Sequence, residues 1–148
     1  MPKRWGGLSS LRKGWKTKHE RPEERYEPGE YFHPLEYESP GMRRAQERLT
    51  RRALELLRIE KPCKILDAGC GTGYSMKVIE EAGHKVTGVD INKEMVKVAR
   101  EKGFKAFVGD LQKLPFKDEE FDAIISISAF QWVKDVKRAA KEVNRVLK

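Results

Sequence analysis

The sequence predicts an α/β fold built on a doubly wound, mostly parallel sheet, and three observations lead to this prediction. Short apolar runs typical of buried strands alternate with amphipathic stretches of about ten residues. Glycines stand where several amphipathic stretches end, as at the end of a helix. One apolar run leads directly into a glycine-rich turn. Because parallel strands need crossover connections, strands separated by helices indicate a parallel sheet.

The composition is that of one compact domain without a membrane span. The chain has 148 residues, of which 39% are hydrophobic and 36% charged. No segment approaches the roughly 20 apolar residues that cross a bilayer, and the N-terminus lacks the apolar region of a secretory signal. The only cysteines are Cys63 and Cys70, a pair that suggests reduced thiols rather than a disulfide framework. We therefore expect a soluble, cytoplasmic protein.

The first 40 residues differ from the rest of the chain. The net charge is +8, and the first 18 residues contain six Lys or Arg and no acid. Trp5 and Trp15 lie among these charges, and prolines recur up to Pro40. Such an arm can neutralise phosphates while its indoles stack on bases, or it can be a solubilising tail. We predict a basic, proline-rich lead at 1–40 and a folded domain at 41–148.

A helix is predicted directly after Ser39 and Pro40, because apolar residues recur there at three- and four-residue spacing. Its arginines are expected to face solvent. The apolar positions are Met42, Ala45, Leu49, Ala53, Leu56 and Leu57.

The remaining elements alternate. Strands are predicted at 63–68, 85–90, 105–108 and 121–127, and helices at 72–82, 92–102 and 134–147. Asn92 is a candidate N-cap, and Gly83 and Gly103 are candidate helix ends. The last helix is expected to bury Val136, Ala139, Ala140, Val143 and Val146.

The strongest functional signal is the glycine turn that follows the first strand. Gly69, Gly71 and Gly73 form a G-x-G-x-G pattern, which lets a ligand approach the backbone closely. Dinucleotide enzymes use G-x-G-x-x-G, but Tyr74 occupies the last of those positions here. The pattern therefore favours a cofactor without phosphates over NAD, although such a turn can also be merely structural.

Two aspartates support a binding site. Asp90 ends the second strand, where a carboxylate can accept hydrogen bonds from both hydroxyls of a ribose. Asp110, followed by Leu111, comes after the third strand and adds a second acid, which suits an adenine amino group. Either aspartate alone is more often a loop residue or a helix cap. In this order, all three signals meet at the carboxyl edge of a parallel sheet, where ligands bind.

The segment 64–148 resembles the class I S-adenosylmethionine-dependent methyltransferases, which have a Rossmann-like fold. The resemblance implies S-adenosylmethionine as the cofactor. Gly69 and Gly71 would then border its methionine part, and Asp67 would hold the turn together. Ser126 would lie near the cofactor's amino group. The full set of implied cofactor-binding residues is Tyr37, Asp67, Gly69, Gly71, Asp90, Ile91, Asp110, Leu111 and Ser126.

A closer resemblance is to the small-subunit ribosomal RNA guanine-N7 methyltransferases. It is carried by the glycine turn and by residues 21–23, 37–42, 52–57 and 121–132. It implies ribosomal RNA as substrate and a small zinc-binding activator protein that pairs with the third strand at 105–108. The chain itself has too few Cys and His residues for a zinc site.

The expected chemistry needs no conspicuous catalytic residue. Guanine N7 already presents a lone pair, so the enzyme need only align it with the methyl group and exclude water. Phe130 and Trp132 are candidates for stacking on the base, although aromatic residues that begin a helix more often belong to the core.

Two other functions stay open at this point. One is methylation of a small molecule, which predicts cofactor binding without salt-sensitive RNA binding. The other is a non-catalytic assembly factor that binds RNA or a protein partner. The chain stops after the fourth strand and its helix, where the resembling families continue. The domain is therefore expected to be incomplete at its C-terminus, which leaves the activity of this short chain uncertain.

Overall fold

The structure is a computed structural model that describes residues 38–148. A 3-10 helix spans Phe130–Trp132. The helices are α1 (Pro40–Leu57), α2 (Tyr74–Glu81), α3 (Lys93–Glu101) and α4 (Val136–Val146), and the strands are β1 (Lys64–Ala68), β2 (Lys85–Asp90), β3 (Ala106–Val108) and β4 (Ala123–Ile125).

The four strands form one parallel sheet in the order β3-β2-β1-β4. The chain moves from β1 outward to β3 and then crosses to the other side of β1 for β4. The strand order therefore reverses between β1 and β4, and Asp67 of β1 lies opposite Gly88 on one side and Ile125 on the other. This arrangement confirms the predicted doubly wound α/β fold.

The sheet divides the core into two layers. Successive residues of a strand point to opposite faces, so Ile65 belongs to one apolar cluster and Leu66 to the other. Side chains from α1, α2 and α3 pack on the Ile65 face, whereas α4 covers the Leu66 face. Both residues are fully buried.

The predicted helix ends are confirmed in the cases that rested on capping residues. The Asn92 side chain accepts hydrogen bonds from the backbone amides of Glu94 and Met95 at the start of α3. Gly83 and Gly103 follow α2 and α3 with φ of +90° and +92°. Glycine reaches this left-handed conformation at little cost, so the chain can leave the helix there.

The buried face of α1 differs from the prediction. Leu49, Leu56 and Leu57 are 44%, 66% and 40% exposed, whereas Gln46 and Thr50 are buried. The helix packs inward partly through polar atoms, since Thr50 Oγ1 lies 2.9 Å from Ser75 Oγ of α2 and 2.7 Å from the Gln46 carbonyl oxygen. These mutually satisfied groups can be buried at little cost, and this contact turns the three exposed leucines outward. Ala53, as predicted, and Leu54 pack against the apolar cluster on the Ile65 face. The arginines of α1 are exposed, as predicted.

The last strand and helix also differ in part from the prediction. Regular pairing of β4 covers only three residues, and Phe121 forms an isolated bridge to Leu147 instead. In α4 the buried stripe is narrow and centres on Ala139 and Val146. Val136 and Ala140, which were predicted to be buried, lie to one side of that stripe and are exposed.

Two further expectations concern the whole chain. Cys63 and Cys70 are both free thiols, as expected. Within residues 38–148, the helices are too short or too polar to cross a bilayer. The predicted lead at 1–40 lies almost entirely outside the described residues, and the boundary at residue 40 stays a prediction.

Candidate functional site

The candidate site lies at the carboxyl ends of β1, β2 and β4, beside the point where the strand order reverses. Parallel sheets leave a crevice at such a point, and ligands bind there because the connections diverge to opposite faces of the sheet. The turn between β1 and α2 carries Gly69, Gly71 and Gly73. Asp90 ends β2, and Ser126 follows β4.

All three glycines of the turn have positive φ, at +85°, +53° and +100°. Two of them also face immediate neighbours. A Cβ atom on Gly69 would lie 2.3 Å from Ala129 Cβ, and one on Gly73 would lie 2.6 Å from the ring of Phe104. The turn therefore needs glycine for its backbone conformation and for its packing.

Most amides of the turn are bonded within the protein. Gly69 N and Cys70 N both donate to the Val89 carbonyl oxygen, at 2.8 and 3.0 Å. Gly71 N donates to Asp90 Oδ2 at 2.9 Å, and Gly73 N donates to the Cys70 carbonyl oxygen at 3.1 Å. Four of the five backbone amides from Gly69 to Gly73 are thus used to hold the turn itself in shape.

Asp90 fixes the turn and keeps capacity for a ligand. Its Oδ1 accepts from Asn92 N at 2.8 Å, in addition to the bond from Gly71 N to Oδ2. Burial raises the pKa of Asp90, and the two backbone donors act in the opposite direction. A carboxylate has about four acceptor positions, so about two remain for hydroxyl groups such as those of a ribose.

Asp67 is buried beneath the turn. The prediction gave it the role of holding the turn together, but neither of its carboxylate oxygens accepts a hydrogen bond from any described residue. Asp90 has that role instead. Burial, and then the charge of Asp90, raise the pKa of Asp67 to about 8. An unpartnered buried carboxyl group fits a cationic ligand, since a positive charge nearby would favour its ionised form.

The residues predicted to contact adenine lie at the same edge of the sheet. Asp110 Oδ1 accepts from Gln112 N at 2.8 Å, and the amide group of Gln112 lies 3.4 Å from both carboxylate oxygens. Leu111 is buried, whereas Ile91 is 38% exposed. Gly109 N donates to the Asp90 carbonyl oxygen at 3.0 Å, which joins the two aspartate-bearing turns.

Ser126 has an acceptor available beside the turn. Its hydroxyl donates to the Ala68 carbonyl oxygen at 2.7 Å, which leaves lone pairs for a donor such as an ammonium group. Two residues later, Ser128 has φ of +56°, which is uncommon for a residue other than glycine. This conformation precedes Ala129, the residue that contacts Gly69. No sequence pattern pointed to Ser128 or Ala129.

The predicted substrate aromatics Phe130 and Trp132 lie in the 3-10 helix rather than at the start of α4. Both are half-buried, and Phe130 packs against the apolar cluster on the Leu66 face. This placement favours a core role for Phe130. A stacking role for Trp132 stays a prediction.

A polar cluster beside the turn was not predicted. The Glu38 carboxylate accepts from the Tyr74 hydroxyl at 2.6 Å and from Lys102 Nζ at 2.7 Å, and Lys102 Nζ lies 4.3 Å from the centre of the Tyr74 ring. The cluster ties the chain before α1 to the first residue of α2. The predicted cofactor residue Tyr37 lies outside the described residues.

Among residues 38–148, no three His, Cys, Asp or Glu side chains are arranged to hold a metal ion.

Comparison with known families gives one match that covers most of the folded part. A family model described as "Methyltransferase domain" matches residues 66–148. Among solved structures, a complex of the Haloferax volcanii Trm112 methyltransferase activator with a candidate methyltransferase has a similar fold. The TM-score is 0.66 at 29% identity, over 73% of this chain and 50% of that one.

Curated relatives point to two kinds of substrate. The 18S rRNA (guanine-N(7))-methyltransferase of Bos taurus is 43% identical over 122 residues, which are 76% of this chain and 43% of that protein. The malonyl-[acyl-carrier protein] O-methyltransferase of Erwinia pyrifoliae is 38% identical over 99 residues, 66% of this chain and 38% of that protein. The chain spans less than half the length of these relatives.

Proposed function

Because this chain belongs to the S-adenosylmethionine-dependent methyltransferase family, we propose that it forms the cofactor-binding part of an enzyme that methylates guanine N7 of small-subunit ribosomal RNA. The observation that carries this proposal is the gathering of the glycine turn, Asp67 and Asp90 at the reversal point of the sheet. In this proposal, residues 41–148 are the cofactor-binding domain and residues 1–40 a basic lead. Two free cysteines support a cytoplasmic location.

The side chains at the strand ends fit the parts of the cofactor. Asp90 would accept hydrogen bonds from the ribose hydroxyls through its remaining lone pairs. Asp67 and Ser126 would face the ammonium group, because both offer acceptor oxygens near the turn. Ile91 and Leu111 would border the adenine ring and Asp110 its amino group. The ring would cover the exposed apolar surface of Ile91.

When bound, S-adenosylmethionine supplies an electrophilic methyl group on its sulfonium. The protein's task is then to orient the acceptor and exclude water. Guanine N7 has a free lone pair and loses no proton on methylation, so no side chain of the chain needs to act as a base. This requirement fits an edge whose carboxylates are already bonded to backbone amides or buried.

The cofactor site is tested by titration calorimetry of the chain with S-adenosylhomocysteine. We expect binding by the wild type and at least about tenfold weaker binding by Asp90→Asn, because hydrogen bonds to charged groups are worth roughly 1.5–3 kcal/mol. The asparagine keeps one oxygen to accept from Gly71 N, but its NH2 group cannot accept from Asn92 N, so the melting temperature of the variant is measured as well to show that the turn persists.

Asp118→Asn is the matched control, since Asp118 lies away from the turn and pairs with Arg145. It should bind the ligand as the wild type does. Equal affinities of the wild type and Asp90→Asn would contradict the proposed ribose contact. A folded wild-type chain that does not bind S-adenosylhomocysteine would contradict the proposed site as a whole.

The RNA part of the proposal is tested by methyl transfer from labelled S-adenosylmethionine to purified small ribosomal subunits. N7-methylguanine makes the RNA sensitive to reduction and aniline cleavage, which identifies the position. Label that enters RNA without this sensitivity would exclude the N7 position. In a parallel reaction with malonyl-loaded acyl carrier protein as the acceptor, label in the malonyl group and none in the RNA would favour the second candidate, a small-molecule methyltransferase, which the similarity to the malonyl enzyme supports.

We also propose that a zinc-binding activator protein pairs with β3. This strand is an edge of the described sheet, and its Phe107 and Val108 are 36% and 47% exposed. The Gly109 amide donates a hydrogen bond to β2, and the Lys105 carbonyl oxygen accepts one from β2. Because the backbone groups of successive residues in a strand point to opposite sides, the amide of Val108, one residue from Gly109, points away from the sheet. An exposed apolar strand edge is a ready template for a strand from another chain.

Substituting proline at Val108 should prevent this pairing. Val108→Pro removes an outward amide donor but leaves the bonds to β2 intact, whereas Val108→Ala keeps the donor. After co-expression with the activator, we expect Val108→Ala to co-purify with it and Val108→Pro to lose it, at similar melting temperatures. Retention of the activator by both variants would place it elsewhere.

A further inference from the structure

Helix α1 presents arginines on its outer face. It contains five arginines and two glutamates. Arg44, Arg48 and Arg51 are spaced four and three residues apart, so they lie on one side of the helix over two turns. All three are exposed, and they line one shallow surface depression together with Arg52, Glu47 and Glu55. The two glutamates of this depression pair with arginines outside the set of three, Glu47 with Arg43 and Glu55 with Arg52. Arg44, Arg48 and Arg51 are called the arginine stripe.

The guanidinium groups of the stripe are available to an anion. Within residues 38–148, Arg44 and Arg48 form no ion pair, and Arg51 pairs with Glu81 at 3.4 Å. The Arg51 side chain is 59% exposed, and ion pairs at such exposure contribute at most about 1 kcal/mol. A strong external anion can therefore replace Glu81.

The stripe lies near the candidate site. On the inner side of α1, Gln46 and Thr50 contact Ser75, which is two residues beyond Gly73 of the turn. The helix is thus anchored at the level of the glycine turn. The arginine stripe lies on the opposite side of α1, about one helix diameter, roughly 10 Å, further from the glycine turn than the inner side.

On the basis of the proposed RNA substrate, we propose that the arginine stripe binds backbone phosphates of that RNA beside the cofactor site. Arg44 and Arg48 are separated by about 6 Å along the helix axis, and each guanidinium can bind a phosphate through two parallel hydrogen bonds. A polyanion is favoured because the same chain begins with a second basic segment, six Lys or Arg in 18 residues. The stripe positions the RNA and does not specify its sequence.

The test is fluorescence anisotropy of the full 148-residue chain with a labelled single-stranded RNA at several KCl concentrations. The variant combines Arg44→Gln, Arg48→Gln and Arg51→Gln. Each phosphate contact in a single strand contributes about 0.7 to the slope of log affinity against log salt. We therefore expect the slope to fall by about 2 and the affinity at 0.1 M KCl to fall at least about tenfold.

A control variant removes the same charge elsewhere, with Lys97→Gln, Lys137→Gln and Lys141→Gln on the exposed surfaces of α3 and α4. It should change the slope by less than half as much. Both variants should keep the wild-type affinity for S-adenosylhomocysteine, which shows that the domain is folded.

Equal losses in the two variants would overturn the inference and leave the proposed function standing. Displacement of the RNA by polyglutamate at equal charge concentration would also overturn it, in favour of an acidic protein partner. Cofactor binding without any RNA binding by the wild type would contradict the proposed RNA substrate itself, and with it the inference.

Discussion

Gly69→Ala is expected to lower the free energy of unfolding by about 3 kcal/mol and to weaken cofactor binding. Part of the loss, about 1–2 kcal/mol, comes from a φ of +85° that an L side chain rarely adopts. The rest comes from overpacking, since the new Cβ would lie 2.3 Å from Ala129 Cβ and would push apart β1 and the loop after β4. Urea denaturation with a fitted midpoint and slope measures the change.

Gly83→Ala separates the two causes. Gly83 has nearly the same φ, +90°, but a Cβ there has no neighbour within 4 Å. It should lose only the backbone part, about 1–2 kcal/mol, and should bind S-adenosylhomocysteine normally. If both alanine variants lose the same free energy of unfolding, the close contact between the turn and Ala129 makes no contribution to the loss in Gly69→Ala.

Asp67 should make the folded protein less stable as pH rises from about 4 to about 8. Its pKa is raised to about 8, from an ordinary value near 3.9, so the folded state keeps a proton that the unfolded chain has released. The contribution of Asp67 to the free energy of unfolding is therefore fully present below about pH 4. It is lost as the pH rises towards 8, and above about pH 8 there is no further change.

Asp67→Asn removes this titration while preserving the shape of the side chain. Between pH 5 and pH 8, the wild type should lose on the order of 3 kcal/mol relative to the variant, measured by urea denaturation at each pH. Parallel curves for the two proteins would mean that Asp67 is not buried as described. Saturating S-adenosylhomocysteine should reduce the difference if its ammonium group lies beside this carboxylate.

The fold was predictable because its signals are local. A buried parallel strand is a short apolar run whatever lies beside it, so β1 and β2 could be identified from their own residues. The ends of α3 could be predicted for the same reason, since Asn92 accepts from amides within three residues and Gly103 N donates to the carbonyl oxygen of Arg100. The family assignment likewise rested on a short motif and was confirmed.

The inner face of α1 could not be predicted in the same way. Apolar spacing favoured Leu49, Ala53 and Leu56, but only Ala53 of these packs against the core. Gln46 and Thr50 make the polar contact with α2 instead. Their burial depends on Ser75, which belongs to another helix. A polar pair at four-residue spacing was the one signal in the sequence, and it has meaning only once the neighbouring helix is known.

The candidate site was predicted in its location and less well in its internal bonding. Strand ends and glycines predicted that Gly69, Gly71 and Asp90 meet at one edge of the sheet, and the structure brings them together there. The residue that holds the turn is Asp90, which lies 19 residues after Gly71. Its bond to Gly71 N depends on where its side chain points in the folded sheet, and this direction could not be predicted from the sequence. The left-handed backbone of Ser128 leaves no trace in residue type. The individual cofactor contacts remain predictions.

The strand order also bears on how the molecule assembles. β1, β2 and β3 follow one another closely in the chain, whereas the bond from Ser126 to Ala68 joins residues 58 positions apart. Closing the longer loop costs more chain entropy, so β4 should join a sheet whose other strands are already paired. Ser126 and Ala129 reach the turn only in that last step. A bound cofactor would therefore stabilise the sheet with β4 in place, by an amount that increases with ligand concentration.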